Sequence, residues 1–192
     1  MSHPASQTQT HLRPLAEVHD LRAYRQDRIE AALEEAQERM TRGHEDEALE
    51  ATFRALSLDP RSYEALSLAG TLLAMLGDAK ASAVYTREAI RVKPGKADAY
   101  YDLGATLLEI DQADEALEWL DAGIEKAEGR DDDLTEFLHS ARIEALVQLG
   151  RMDEAQSALE TARTRTRDAL GLLEGCEQAI AQGQKKPRLR VV

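Results

Sequence analysis

The chain has 192 residues, of which 43% are hydrophobic, 31% charged and only 4% aromatic, with a formal net charge of −12. That length suits one domain or one short repeat array, and the low Pro and Gly content excludes a fibrous or low-complexity protein. The acidic balance argues against nucleic acid, which needs clustered Lys and Arg, and against an anionic membrane surface. A basic, apolar or amphipathic polypeptide meets no such penalty.

Cys176 is the single cysteine, so no intrachain disulfide can form, and no Cys/His cluster has zinc spacing. A reducing compartment, the cytoplasm, is the expected location. The opening MSHPASQTQT lacks the apolar core of a secretory signal, and no apolar run approaches a membrane span.

Residues 1–13 read as a polar, disordered leader. Residues 14–28 read as an N-terminal helix: Pro14 suits a first turn, and Leu15, Val18, Leu21 and Tyr24 follow at helical intervals. No turn residue separates this stretch from Ile29, so fusion with the next helix is expected. Its apolar set offers a homodimer surface.

A 34-residue period follows. Pro60 and Pro94 stand one period apart, as do Gly43 and Gly77, and the tetrapeptide Asp46–Leu49 returns at Asp114–Leu117. The periods set units at 29–62, 63–96 and 97–130, each a pair of helices. In the second unit a helix from Tyr63 ends at Gly77, a glycine suited to a left-handed turn. The next helix stops before Pro94. Asp111 takes the place of the turn glycine in the third unit, and Asp tolerates that conformation better than most residues. A segment at 131–135 reads as an insertion before a divergent fourth unit at 136–169, marked by Gly150 and Asp153–Gln156. Leu170, Leu173, Cys176 and Ile180 then form an apolar stripe over 170–183, read as a capping helix. Residues 184–192 form a basic tail.

This pattern resembles the tetratricopeptide-repeat (TPR) family. The family's small eighth position is matched by Ala36, Gly70 and Gly104, and small residues recur in the second helices at Ala48, Ala55, Ser82, Ala89, Ala116 and Gly123. The resemblance covers roughly residues 29 to 169. It implies an all-α fold: a right-handed superhelical solenoid of helix-turn-helix repeats, with the N-terminal and capping helices added. It also implies a concave groove lined by the first helices. At the groove positions stand Leu33, Gln37 and Met40; Ser67, Thr71 and Ala74; Tyr101, Ala105 and Leu108; and Ser140, Glu144 and Val147. Along one edge Glu30, Glu64 and Asp98 recur every 34 residues as an acidic row. Where family members that bind chaperone tails place Lys, Arg and Asn, this chain has Glu30, Glu34, Gln37, Glu64, Asp98 and Asp102, which repel a carboxylate terminus.

No constellation for catalysis is expected, and no cofactor or metal. Asp131, Asp132 and Asp133 lack the interleaved spacing of a calcium loop; with Glu136 they read as helix capping. The histidines are dispersed, and Trp119 reads as packing. The expected function is a non-enzymatic interaction scaffold whose groove takes an apolar polypeptide segment with basic residues. Two alternatives stay open. One is a dedicated chaperone for a secretion substrate, similar to type III translocator chaperones in being small, acidic and repeat-based. The other is a regulatory subunit.

Overall fold

The computed structural model describes residues 15–129, 132–168 and 170–183, with side chains from residue 20 onward. The expected leader and basic tail, Pro14, Asp131 and Ala169, and the side chains of Leu15 and Val18 lie outside the described residues. Among the described residues there are nine helices and no strand: α1 (Leu15–Thr41), α2 (Glu45–Leu58), α3 (Tyr63–Met75), α4 (Ala79–Val92), α5 (Ala97–Glu109), α6 (Ala113–Lys126), α7 (Asp133–Gln148), α8 (Met152–Arg165) and α9 (Leu172–Gln182).

α1 is one unbroken helix of 27 residues, so the N-terminal segment and the first repeat helix are continuous. The first helix of each pair ends on a left-handed residue: Gly43 (φ 74°), Gly77 (φ 82°), Asp111 (φ 60°) and Gly150 (φ 72°). That backbone turn lets Gly77 N–H donate to Ala74 O and Asp78 N–H to Leu73 O, satisfying carbonyls the helix leaves open. Side chains close the opposite ends, where Ser62 accepts from Ala65 N–H at 3.3 Å and Asp78 from Ala81 N–H at 3.0 Å.

α7 departs from expectation. It starts at Asp133, so most of the expected insertion at 131–135 is helix, and the cap is Asp132, whose Oδ1 accepts from Thr135 N–H at 3.2 Å. Glu136 takes no part in a capping box. Its side chain is buried and its Oε1 accepts from Leu170 N–H at 3.0 Å, tying the entry to α9 back to α7. A carboxylate reaching across 34 residues is not legible in a local motif.

The helices pair in order, α1 with α2, α3 with α4, α5 with α6 and α7 with α8, and each pair stacks on the next. The first helices also touch one another, α1 with α3, α3 with α5 and α5 with α7, whereas the second helices α2, α4 and α6 make no such mutual contact. An array whose first helices converge and whose second helices splay must curve, with α1, α3, α5 and α7 on the inner side. α9 packs on α7 and α8 through Leu173, Cys176 and Ala179, taking the place of a further first helix and covering the last interface.

The crossing points inside the pairs carry the small residues. A Cβ on Gly104 would lie 2.5 Å from Leu120 Cγ, one on Gly70 would collide with Thr86 Oγ1, and one on Gly123 would meet Leu138 Cδ2 at 2.7 Å and Tyr100 Cβ at 2.9 Å. The fourth pair has fully buried Ile143 at the equivalent point, and α7 and α8 pack less closely than α3 and α4. Gly104→Leu therefore overpacks a full seam and should cost about 1–3 kcal/mol or more, a fall of several degrees in melting temperature. Gly70→Leu should behave alike, and calorimetric melts equal to the parent's would contradict this packing.

Candidate functional site

The concave face is built by residues of α1, α3, α5 and α7, and the expected groove positions divide into three groups. Gln37 and Thr71 are exposed; Leu33, Met40, Ser67, Ala74, Tyr101, Ala105 and Glu144 are half-buried; Leu108, Ser140 and Val147 are buried. The last three are a correction, because they cannot line an open surface. On α7 the reason is α9, whose Cys176 Sγ–H points at Ser140 O from 3.8 Å. Burial pushes that thiol up to about 12, so Cys176 is a packed group rather than a nucleophile.

The acidic row is also altered. Glu30 is exposed and accepts from Gln26 Nε2 at 2.8 Å. Glu64 pairs with Lys93 Nζ at 2.6 Å, a hydrogen bond that holds its carboxyl below the ordinary range. The same ammonium sits 5.0 Å from the centre of the Tyr63 ring. Asp98 accepts from Tyr63 Oη at 3.3 Å. The middle of the row is thus already neutralised by a lysine at the end of α4.

The uncompensated charge lies one turn further along α5. Asp98, Asp102 and Glu109 stand at i, i+4 and i+11, one face of the helix. Half-buried Asp102 has neither hydrogen bond nor ion pair among the described residues; desolvation first, then the neighbouring Asp98, pushes its carboxyl up to about 6. Glu144 reaches the same region from α7. Its burial raises it to about 7, Glu109 adds to the rise, and Gln148 Nε2, donating at 3.4 Å, opposes it. Between them stands Tyr101, its hydroxyl raised by burial and then by Asp102, Glu144 and Glu109, and its ring 5.4 Å from that of Phe137.

Sequence reasoning named Tyr101, Glu144 and Asp98 but treated Asp102 only as a departure from a clamp, and it passed over Glu109 and Phe137. The available signal was three like charges on one face of α5, an arrangement that costs helix stability and so asks for a reason. These carboxylates do not converge as a metal centre: no group of three His, Cys, Asp or Glu among the described residues is placed to hold an ion.

Four helix pairs, the first three on a 34-residue period, joined through their first helices and with α9 packed on the fourth, define a TPR solenoid. No known family model matches the sequence. It is 31% identical over 117 residues to protein FlbA of Caulobacter vibrioides, a match spanning 61% of this chain but only 19% of that protein. Among solved structures, the TPR2B domain of yeast Sti1, in a complex with pHsp70, is 23% identical with a TM-score of 0.60, over 63% of this chain and 98% of that one. An O-GlcNAc transferase of Thermobaculum terrenum is 25% identical with a TM-score of 0.63, over 73% of this chain and 26% of that one.

The raised carboxyls carry a pH signature. Both folded values lie above the unfolded ones near 4, so the native state binds protons that the unfolded chain has released, and stability falls as pH rises from about 4 through about 7. Glu144→Gln should match the parent near the acid end of that window and exceed it above pH 7 by on the order of 1 kcal/mol, discounted for partial solvation. Urea melts with the same pH slope in both proteins would contradict the assignment.

Proposed function

We propose that the chain is a non-enzymatic protein-interaction module whose concave face takes a polypeptide segment carrying Lys or Arg beside apolar residues. The observation that carries this reading is Tyr101, its ring against that of Phe137 and amid Asp102, Glu109 and Glu144, with Asp98 beside Asp102, and none of the four has an ion pair among the described residues. Half-buried carboxylates without a counter-ion are destabilising, and an arriving ammonium or guanidinium offsets that cost while meeting an aromatic face. A segment ending in a free carboxylate is disfavoured by the same four acids. The TPR2B domain of yeast Sti1, solved with pHsp70, supports the general mode.

Neighbouring first helices pack roughly 10 Å apart and an extended segment advances roughly 3.3 Å per residue, so about three residues pass each repeat. One Lys or Arg among the three residues that pass α5 would face its acidic stripe, and a basic residue at every third position places one there in any register. Exposed ion pairs contribute about 0–1 kcal/mol each, so apolar contacts at Ala74, Tyr101 and Ala105 supply most of the affinity and charge sets register. Placement in the cytoplasm belongs to the same proposal, resting on one buried free thiol. No described helix is long and apolar enough to cross a membrane. We also propose self-association through the N-terminal part of α1, where Leu21 and Tyr24 are 52% and 58% exposed.

Two synthetic peptides test the groove: both share one set of apolar residues, the first with Lys at every third position and the second with Glu. Fluorescence anisotropy should detect binding of the Lys peptide alone. Tyr101→Ala should weaken it about tenfold, equivalent to about 1.4 kcal/mol, and Asp102→Asn should flatten its salt dependence. Equal binding of the Glu peptide, or Tyr101→Ala binding as the parent does, would remove the concave face as the site.

A further inference from the structure

We propose that the N-terminal half of α1 in one copy docks as a helix on the acidic concave face of a second copy, so that the chain assembles head to tail. This inference rests on the concave face being the binding site.

The donor is an unpacked helix. Residues 20–28 are all exposed, and Ile29 is the first buried residue of α1. At about 100° per residue, Leu21, Tyr24, Arg25 and Arg28 fall within about 100° of arc, while Asp20 and Asp27 lie outside it. The Arg28 guanidinium lies 5.9 Å from the Tyr24 ring centre and donates to Tyr24 Oη at 3.2 Å, which joins charge and aromatic surface in one patch. Arg22 and Arg25 have no carboxylate partner among the described residues. An apolar strip flanked by free guanidinium groups is the chemistry that Tyr101, Phe137, Asp98, Asp102, Glu109 and Glu144 accept.

Dimensions agree. Residues 15–28 as a helix measure about 21 Å at 1.5 Å per residue, and three first helices spaced roughly 10 Å apart set α3 about 20 Å from α7. One such helix therefore spans the inner face from α3 to α7, the acidic stretch on α5 and α7 included. It cannot reach its own groove, because α1 continues without a break to Thr41 and would have to melt near Arg28. The partner is then a second molecule, and the contact joins two different patches. A heterologous contact of that kind propagates into rings or open chains unless rotation closes it.

The test uses full-length protein in sedimentation velocity over a rising concentration series at low and high salt. The parent should pass from 21.3 kDa to multiples of that mass, with association weakened by salt. A tail variant carries Arg22→Gln, Arg25→Gln and Arg28→Gln. A groove variant carries Asp98→Lys and Glu109→Lys, both at exposed positions, with folding checked by circular dichroism. Each alone should remain at the monomer mass, whereas their equimolar mixture should give a dimer, since the mixture retains one intact tail and one intact groove. A groove variant that still associates, or a mixture that does not, overturns the head-to-tail contact; the first result would instead indicate α1 pairing with α1. A parent that stays monomeric throughout while binding the Lys-bearing peptide overturns this inference and leaves the groove reading standing. Loss of both signals sinks the two together.

Discussion

The close approach of paired helices is the constraint on which the rest depends. Where Gly70 faces Thr86 and Gly104 faces Leu120, a Cβ has no room, so the Thr86 and Leu120 side chains pack directly on the bare backbone of α3 and of α5. Gly123 extends the same tolerance between α6 and the neighbouring Tyr100 and Leu138. Tight pairs repeat every 34 residues through the first three units, and the inner helices converge while the outer ones splay. The inner face, its curvature and the meeting of Tyr101 with Phe137 follow from that spacing.

The same constraint relaxes at the end of the array. Fully buried Ile143 stands at the equivalent point of the fourth pair, α7 and α8 pack less closely, and α9 covers them in place of a further first helix. Buried Glu136 fastens that closure by accepting from Leu170 N–H, and Asp168 does likewise for Leu173 N–H at 3.0 Å. Covering α7 in this way removes Ser140 and Val147 from solvent and leaves Glu144 at the margin, half-desolvated and facing Glu109. The most perturbed carboxyl of the groove is therefore a consequence of how the solenoid ends.

The fold was legible in the sequence because its determinants are local and periodic. A glycine or aspartate at a left-handed turn and a small residue at a helix crossing each act within one unit, and Gly77, Asp111 and Gly104 could be read without knowing their neighbours. The site was legible only in part. Position along a repeat brought Tyr101 and Glu144 to attention, but whether a charge is free depends on groups from other units. Lys93 neutralises Glu64 from 29 residues away, α9 seals Ser140, and Phe137 reaches Tyr101 from the next pair. None of those contacts falls on the 34-residue period, so the period could not announce them.

The central claim is that the concave face holds carboxylates awaiting a cation from outside the chain. Carbon-detected NMR titration of the Asp102 and Glu144 side-chain carboxyls, alone and saturated with a Lys-bearing apolar peptide, measures it directly. The account predicts apparent values of about 6 and about 7 in the free protein, both falling towards the ordinary range near 4 when the peptide is bound. Ordinary values in the free protein, or raised values that do not move on saturation, would contradict it.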